Sequence, residues 1–139
     1  MKADNCIFFQ LAKASQTGTK FLNLKVSGLN ITPVQAMVIG FLSEQDQIMA
    51  GELGKKVELD SATLTGILDR LEAAQLIERK GNPDDRRSIK IHLTKQGKET
   101  GLEARKLIEE ANKEFLAALT ENEKRELRSI IKKLREPLI

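Results

Sequence analysis

Apolar residues recur along this chain with the three-to-four spacing of a helix over most of its length, and with a two-residue alternation in one short interval. Residues 3 to 27 carry Ile7, Leu11, Ala14, Phe21 and Leu22 on one stripe, which predicts an amphipathic first helix despite Gly18. Thr32-Pro33-Val34-Gln35 has the chemistry of a helix start: a capping hydroxyl, a proline suited to the first helical position and a glutamine able to close a capping box. The second helix is expected to run to about Ser43 and to bury Val34, Met37, Val38, Phe41 and Leu42. A short third helix at about residues 50 to 57 puts Leu53 and Val57 on one face, and Glu58-Leu59-Asp60 is the turn after it.

Asp60 or Ser61 then caps a fourth helix, near residues 61 to 74. Leu64, Ile67, Leu68 and Leu71 line its inner side, while Ala62, Thr63, Gly66 and Asp69 fall away from it. After Leu76 the period changes to two. Ile77 and Arg79, then Ile89, Ile91 and Leu93, alternate with polar neighbours, and the turn-forming stretch Gly81-Asn82-Pro83-Asp84-Asp85 between them predicts a hairpin with a charged tip. Thr94 can cap a long helix whose inner face is Leu102, Leu107, Ile108, Ala111, Phe115 and Leu119. Thr120-Glu121-Asn122-Glu123 is a second capping box opening a last helix with Leu127, Ile130, Ile131, Leu134 and Leu138.

The order is one helix, three helices, two strands, two helices. It predicts a mainly α (α+β) fold, a winged helix-turn-helix with additional N- and C-terminal dimerisation helices. At 139 residues the expectation is a single winged-helix domain over 1–139, with a DNA-binding lobe at about 31–98 and dimerisation helices at about 3–27 and 98–138.

Charge sharpens this picture by its placement. The net charge is only +3, but residues 76 to 98 hold Arg79, Lys80, Arg86, Arg87, Lys90, Lys95 and Lys98 against Glu78, Asp84 and Asp85. The positive excess is therefore concentrated on the predicted hairpin, where a polyanion partner would meet it. The single Cys6 forms no intrachain disulfide. The first residues lack the long apolar stretch of a signal peptide, and no run reaches the length of a membrane span, so cytoplasmic residence is expected.

A helix that enters the major groove must be free of bulky apolar groups on its outer face yet able to hydrogen-bond. Ser61, Thr63 and Thr65 supply hydroxyls there, and Ala62 can touch a thymine methyl. Alone, such residues equally serve to cap and solvate a helix start. Arg86 and Arg87 near the hairpin tip lie where a wing reaches a phosphate or the minor groove, although a solvated turn uses the same residues. The conjunction of small polar helix, element order and basic hairpin favours DNA. The amphipathic helices at both ends are best used by a second copy of the chain, and the twofold symmetry of a homodimer predicts a pseudo-palindromic double-stranded operator.

The segment Asp85-Arg86-Arg87-Ser88-Ile89-Lys90-Ile91-His92-Leu93-Thr94-Lys95-Gln96-Gly97 fits the pattern D-x-R-S-x-x-(aliphatic)-x-L-T-x-x-G of the multiple-antibiotic-resistance regulator (MarR) family. Leu59-Asp60-Ser61-Ala62-Thr63-Leu64-Thr65 through Leu71-Glu72 resembles that family's recognition helix, and Leu76-Ile77-Glu78-Arg79 the strand after it. The resemblance covers nearly the whole chain. It implies a homodimeric transcription regulator, usually a repressor released from its operator by a small molecule or an oxidant. By position it makes Ser61, Ala62, Thr63, Thr65, Gly66 and Arg70 major-groove contacts and Arg87 the wing arginine, with Asp85 as its orienting partner and Arg86 as a phosphate contact.

Family members often bind aromatic acids between the dimerisation helices and the DNA lobe, so a small aromatic-acid effector is the expected ligand, with no cofactor and no metal. Cys6 opens an alternative, because hydroperoxide sensors of this family carry a reactive cysteine in the first helix. Those sensors engage it with tyrosines, and this chain has no Tyr. An ordinary buried thiol is the third option. An enzyme is disfavoured: His92 and Cys6 make no evident nucleophile–base pair and cannot alone complete a zinc site. The remaining competitor is a winged-helix module that binds protein, against which the basic hairpin argues.

Overall fold

The structure is a computed structural model of the chain. It describes residues 1–82 and 84–138, with Asn82, Arg86 and Arg87 described by backbone alone. The elements run α1 (Ile7–Val26), α2 (Pro33–Glu44), β1 (Ile48–Met49), α3 (Ala50–Val57), α4 (Ser61–Ala73), β2 (Ile77–Asn82), β3 (Asp85–Leu93), α5 (Lys95–Phe115) and α6 (Glu121–Arg135). The fold is a winged helix flanked by long helices, as the hydrophobic pattern requires.

Both capping boxes form. The Thr32 hydroxyl accepts from Gln35 N–H while Gln35 reaches back to Thr32 N–H, and Thr120 and Glu123 repeat the arrangement. The first helix is less continuous than its stripe predicts. A short 3-10 turn at Ala3–Asn5 precedes Cys6, whose extended backbone makes it the N-cap of α1, and a second such turn, Ser27–Leu29, follows α1.

The core lies between α2, α4, the sheet and the first half of α5. Ile39, Leu42, Leu53, Leu71, Ile77 and Ile91 are its largest fully buried side chains. The buried face of α2 is rotated from the expected one, for Gln35, Ala36, Val38, Ile39, Gly40 and Leu42 are inside while Val34 and Phe41 are exposed. The cause is α5. It buries Gly97, Gly101, Ala104 and Ala111 rather than the expected Leu102 and Phe115, so its small residues let α2 approach closely. A Cβ on Gly101 would stand 2.9 Å from Ser43 Cβ and 3.0 Å from Ile39 O.

The sheet has one strand more than the pattern suggested, in the order β1-β3-β2 and antiparallel throughout. Ile48 pairs with Ile91 and Met49 with Lys90, too short a stretch for any periodicity to reveal. Asp46 fastens this edge by accepting from Leu93 N–H at 2.9 Å. The hairpin strands extend further than expected, with Gly81 and Asn82 in β2 and Asp85 in β3, because the ladder continues past a register shift at Gly81/Asn82. Arg86 and Arg87 consequently belong to the start of β3 rather than to the tip.

At Gly97 a Cβ would fall 1.8 Å from Leu76 O, and that atom is backbone, which cannot swing aside. Gly97→Ala is therefore expected to cost about 3 kcal/mol or more in urea unfolding. Gly51→Ala, whose Cβ meets nothing within 4 Å, should leave stability unchanged or raise it by up to about 1 kcal/mol. Equal unfolding midpoints for Gly97→Ala and wild type would refute the close approach.

Candidate nucleic-acid interface

Two left-handed residues, Glu58 and Gln75, frame α4. Helix α3 ends at Glu58, φ 54°, where Leu59 N–H reaches back to Gly54 O, and the chain then needs only Asp60 before α4 begins. At the far end Gln75, φ 62°, lets Leu76 N–H bond Leu71 O, a Schellman closure that turns the chain directly into β2. The α3–α4 and α4–β2 corners are thus tight, and the hairpin is held beside α4. Arg135, the last residue of α6, contacts Glu58 at the first corner.

Asp60 is the cap of α4. Its carboxylate accepts from Thr63 N–H at 2.8 Å and from the Thr63 hydroxyl at 2.9 Å, and these bonds, backbone first, hold its pKa below the ordinary aspartate value. The Thr65 hydroxyl donates to Ser61 O at 2.7 Å. Both threonines thus have their protons engaged along the helix and present lone pairs outward, the polarity that accepts from the amino group of adenine or cytosine. Leu64, Ile67, Leu68 and Leu71 bury the inner face, leaving Ser61, Ala62, Thr63, Thr65, Gly66 and Arg70 all exposed on one element. A Cβ on Gly66 would meet nothing within 4 Å, so its outer side is open.

On the hairpin, Asp85 accepts from the Ser88 hydroxyl at 2.9 Å, a bond within β3. The side chains of Arg86 and Arg87 lie outside the described residues, so the expected Asp85–Arg87 pairing does too. Lys80 and Lys90 are direct cross-strand partners and both are exposed. Like charges so placed repel, and Glu78, 3.7 Å from the Lys80 ammonium, offsets part of it. His92 pairs with Glu78 on the face opposite Ile91 and Leu93. Cys6 is a half-buried free thiol, far in sequence from every residue of this lobe. Among the described residues no cluster of His, Cys, Asp and Glu could hold a metal ion, and no single helix is long and apolar enough to cross a membrane.

Sequence reasoning missed the roles of two residues. The sequence leaves the cap of α4 open between Asp60 and Ser61; Asp60 takes it and also orients the Thr63 hydroxyl. Arg79 was read as part of the basic segment, yet its guanidinium is bound to Asp69 and Glu72 of α4. Its signal was present: a charged residue on the apolar face of an alternating strand needs partners.

A small-residue helix presented beside a basic β-ribbon defines a winged helix-turn-helix protein. A family model described as MarR family matches residues 31–89. The multiple antibiotic resistance protein MarR of Escherichia coli is 31% identical over 121 residues, which cover 86% of this chain and 84% of that protein. The organic hydroperoxide resistance transcriptional regulator of Bacillus subtilis is 37% identical over 97 residues, spanning 70% of this chain and 66% of that protein. In three dimensions a cysteine-to-serine mutant of E. coli MarR, complexed with operator DNA, superposes with a TM-score of 0.82 at 29% identity over 91% of each chain. The chain belongs to the MarR family.

The lowered Asp60 pKa fixes a pH dependence. The cap contributes fully above the ordinary aspartate range and is lost as pH falls through the lower folded-state value, below about pH 4. Asp60→Asn should thus show a shallower acid limb than wild type in stability measured against pH. Superimposable limbs would show that the carboxylate is not the cap.

Proposed function

We propose that this chain is a homodimeric, sequence-specific DNA-binding transcription regulator. It acts in the cytoplasm as a repressor that a small molecule releases from a pseudo-palindromic operator. The observation that carries the reading is the single exposed face of α4, bearing Ser61, Ala62, Thr63, Thr65, Gly66 and Arg70, with the β2–β3 hairpin fixed beside it. In this reading α4 enters the major groove, and Arg87, oriented by Asp85, and Arg86 bind with the wing at the flanking groove or its phosphates. The operator complex of the related MarR supports it.

The lobe at about 31–98 reads DNA, and the helices at about 3–27 and 98–138 dimerise. Ile7, Phe8, Phe9 and Leu11 on α1 and Ile130, Ile131 and Leu134 on α6 are all exposed in the single chain. Large apolar side chains left uncovered on both terminal helices are the kind of surface that a second protein chain covers. Lys25 ties α1 to α5 through Glu114 at 2.8 Å.

The wing and the partner are tested together. With an operator obtained by selection from random duplexes, Arg87→Ala should weaken binding by more than about 1 kcal/mol without altering the dimer in sedimentation. Wild-type affinity should fall steeply with salt as counterions are released. Unchanged operator affinity in Arg87→Ala counts against the wing, and salt-independent binding counts against DNA as the partner.

For the effector, a cavity of about 290 Å³ opens between α2 and α5, lined by Met37, Phe41, Ile108 and Arg105. Among the described residues the buried Arg105 Nε there has no hydrogen-bond partner, with Glu44 Oε1 3.5 Å away, and it is a donor suited to a carboxylate. A thiol switch at Cys6 is the second reading, favoured by the identity with the hydroperoxide regulator. The two separate in one experiment: benzoate-class acids should release the operator from wild type and Cys6→Ser alike. Release by peroxide alone, lost in Cys6→Ser, would replace the cavity by the thiol.

A further inference from the structure

Arg79 occupies the inward face of β2, two residues after the buried Ile77 and directly across from the buried Ile91. Apolar neighbours would ordinarily exclude a guanidinium from that face. Here α4 supplies the partners that the group needs. Its Nε donates to Glu72 Oε2 at 2.8 Å and its Nη2 donates to Asp69 Oδ1 at 2.6 Å. The Arg79 side chain is 28% exposed, whereas the two carboxylates are 56% and 41% exposed, so the arginine lies beneath them and they form its outer rim.

The charge of α4 explains what this arrangement does. Between Ser61 and Ala73 the helix carries Asp69 and Glu72 against one cation, Arg70. Asp69 follows Gly66 by three residues and Thr65 by four, so its carboxylate sits one turn further along the exposed face that bears them. A helix with that charge would repel the phosphates on either side of a groove. Arg79 cancels one of the two negative charges from below and turns both carboxylates toward β2. An arginine is needed, because two carboxylates three residues apart require a planar fork with separated donors, which a lysine lacks.

We propose that Arg79 is a positioning residue for operator recognition, which by clasping Asp69 and Glu72 fixes the wing against the recognition helix and offsets part of their charge. The proposal rests on the DNA-binding reading given above. It differs from a direct phosphate contact in one consequence. A residue that positions two reading elements governs the preference for the operator over other duplexes, whereas a phosphate contact strengthens binding to both equally.

The experiment measures dissociation constants for the selected operator and for a scrambled duplex, each over a salt series. It compares wild type with Arg79→Ala, Arg79→Lys, the near-isosteric pair Asp69→Asn/Glu72→Gln, and all three changes together. The operator-to-scrambled ratio should fall about tenfold in Arg79→Ala, the scale of one mismatched base pair, and recover only partly in Arg79→Lys. The carboxylate pair variant should lose a similar ratio, and the triple variant should be no worse than either, since the three groups act as one unit. Measurements stay below each variant's unfolding temperature, and the carboxylate pair variant, which removes no volume, answers for Arg79→Ala should that variant fold poorly. Equal weakening on both duplexes with a salt slope reduced by about one would make Arg79 a phosphate contact and overturn the proposal. An unchanged ratio in the carboxylate pair variant would overturn it as well. Absence of operator preference in wild type would instead fail the DNA-binding reading on which it stands.

Discussion

A single backbone carbonyl governs how the parts of this chain meet. Leu76 O, just beyond the recognition helix, accepts from Thr94 N–H at 3.1 Å and lies where any side chain on Gly97 would collide with it. The end of α4, the close of β3 and the first turn of α5 are thereby packed backbone against backbone. Thr94 completes the joint: its hydroxyl donates to Gln75 O at 2.7 Å and accepts from Gly97 N–H at 2.9 Å. One residue thus caps α5 and closes the turn after α4. Contacts between backbones have little freedom to relax, so the angle between α4 and α5 is set at this joint by backbone contact and hydrogen bonding.

From that joint the interface follows. The Schellman closure at Gln75 sends the chain out of α4 at a fixed angle, and β2 runs back along the helix that it has just left. The outer face of α4 can therefore be built of small residues, because rigidity comes from its inner leucines, its aspartate cap and the strand beside it. A glycine in mid-helix costs about 1 kcal/mol against alanine. Gly66 incurs that cost on an open face where no packing requires it. Such a choice makes sense for a surface that another molecule must approach closely.

Much of this was legible in the sequence, and the reasons differ by element. Helix ends were readable because capping chemistry is local: Thr32 with Gln35, Thr94 ahead of Gly97, and Thr120 with Glu123 each announce a terminus within four residues. The position of α4 followed from its inner leucines and isoleucine together with a cap at Asp60 or Ser61. What escaped was whatever depends on two elements meeting. The two residues of β1 have no period of their own and become a strand only through Ile91 and Lys90. The rotated face of α2 could not be seen, because Val34 and Phe41 are as apolar as Val38 and Leu42. Only the close approach of Gly101 decides which of them faces inward. Asp60 as a guide for Thr63, and Arg79 as a clasp on α4, are pairings of polar groups, for which hydrophobic periodicity carries no signal.

The same joint bears on how an event at the terminal helices could reach DNA. Helix α5 is continuous from Lys95, beside Leu76, to Phe115, whose ring lies 5.5 Å from that of Phe21 on α1. At about 1.5 Å per residue its length is roughly 30 Å, enough to link the lobe to the terminal helices by one rigid rod. The small residues Gly101 and Ala104 seat this rod against α2, with Ile39 and Ser43 at the closest point. The cavity beside Arg105 adjoins the same contact, one helical turn further along. A molecule wedged there would press α2 and α5 apart at a seam without slack. In the effector reading proposed above, the contact of α5 with Leu76 would pass such a displacement on toward α4. In a twofold dimer the angle of α4 sets the separation of the two recognition helices, and half-site spacing tolerates little change in it. A seam too tight to admit an alanine is, by the same physics, one in which a small ligand has a large lever.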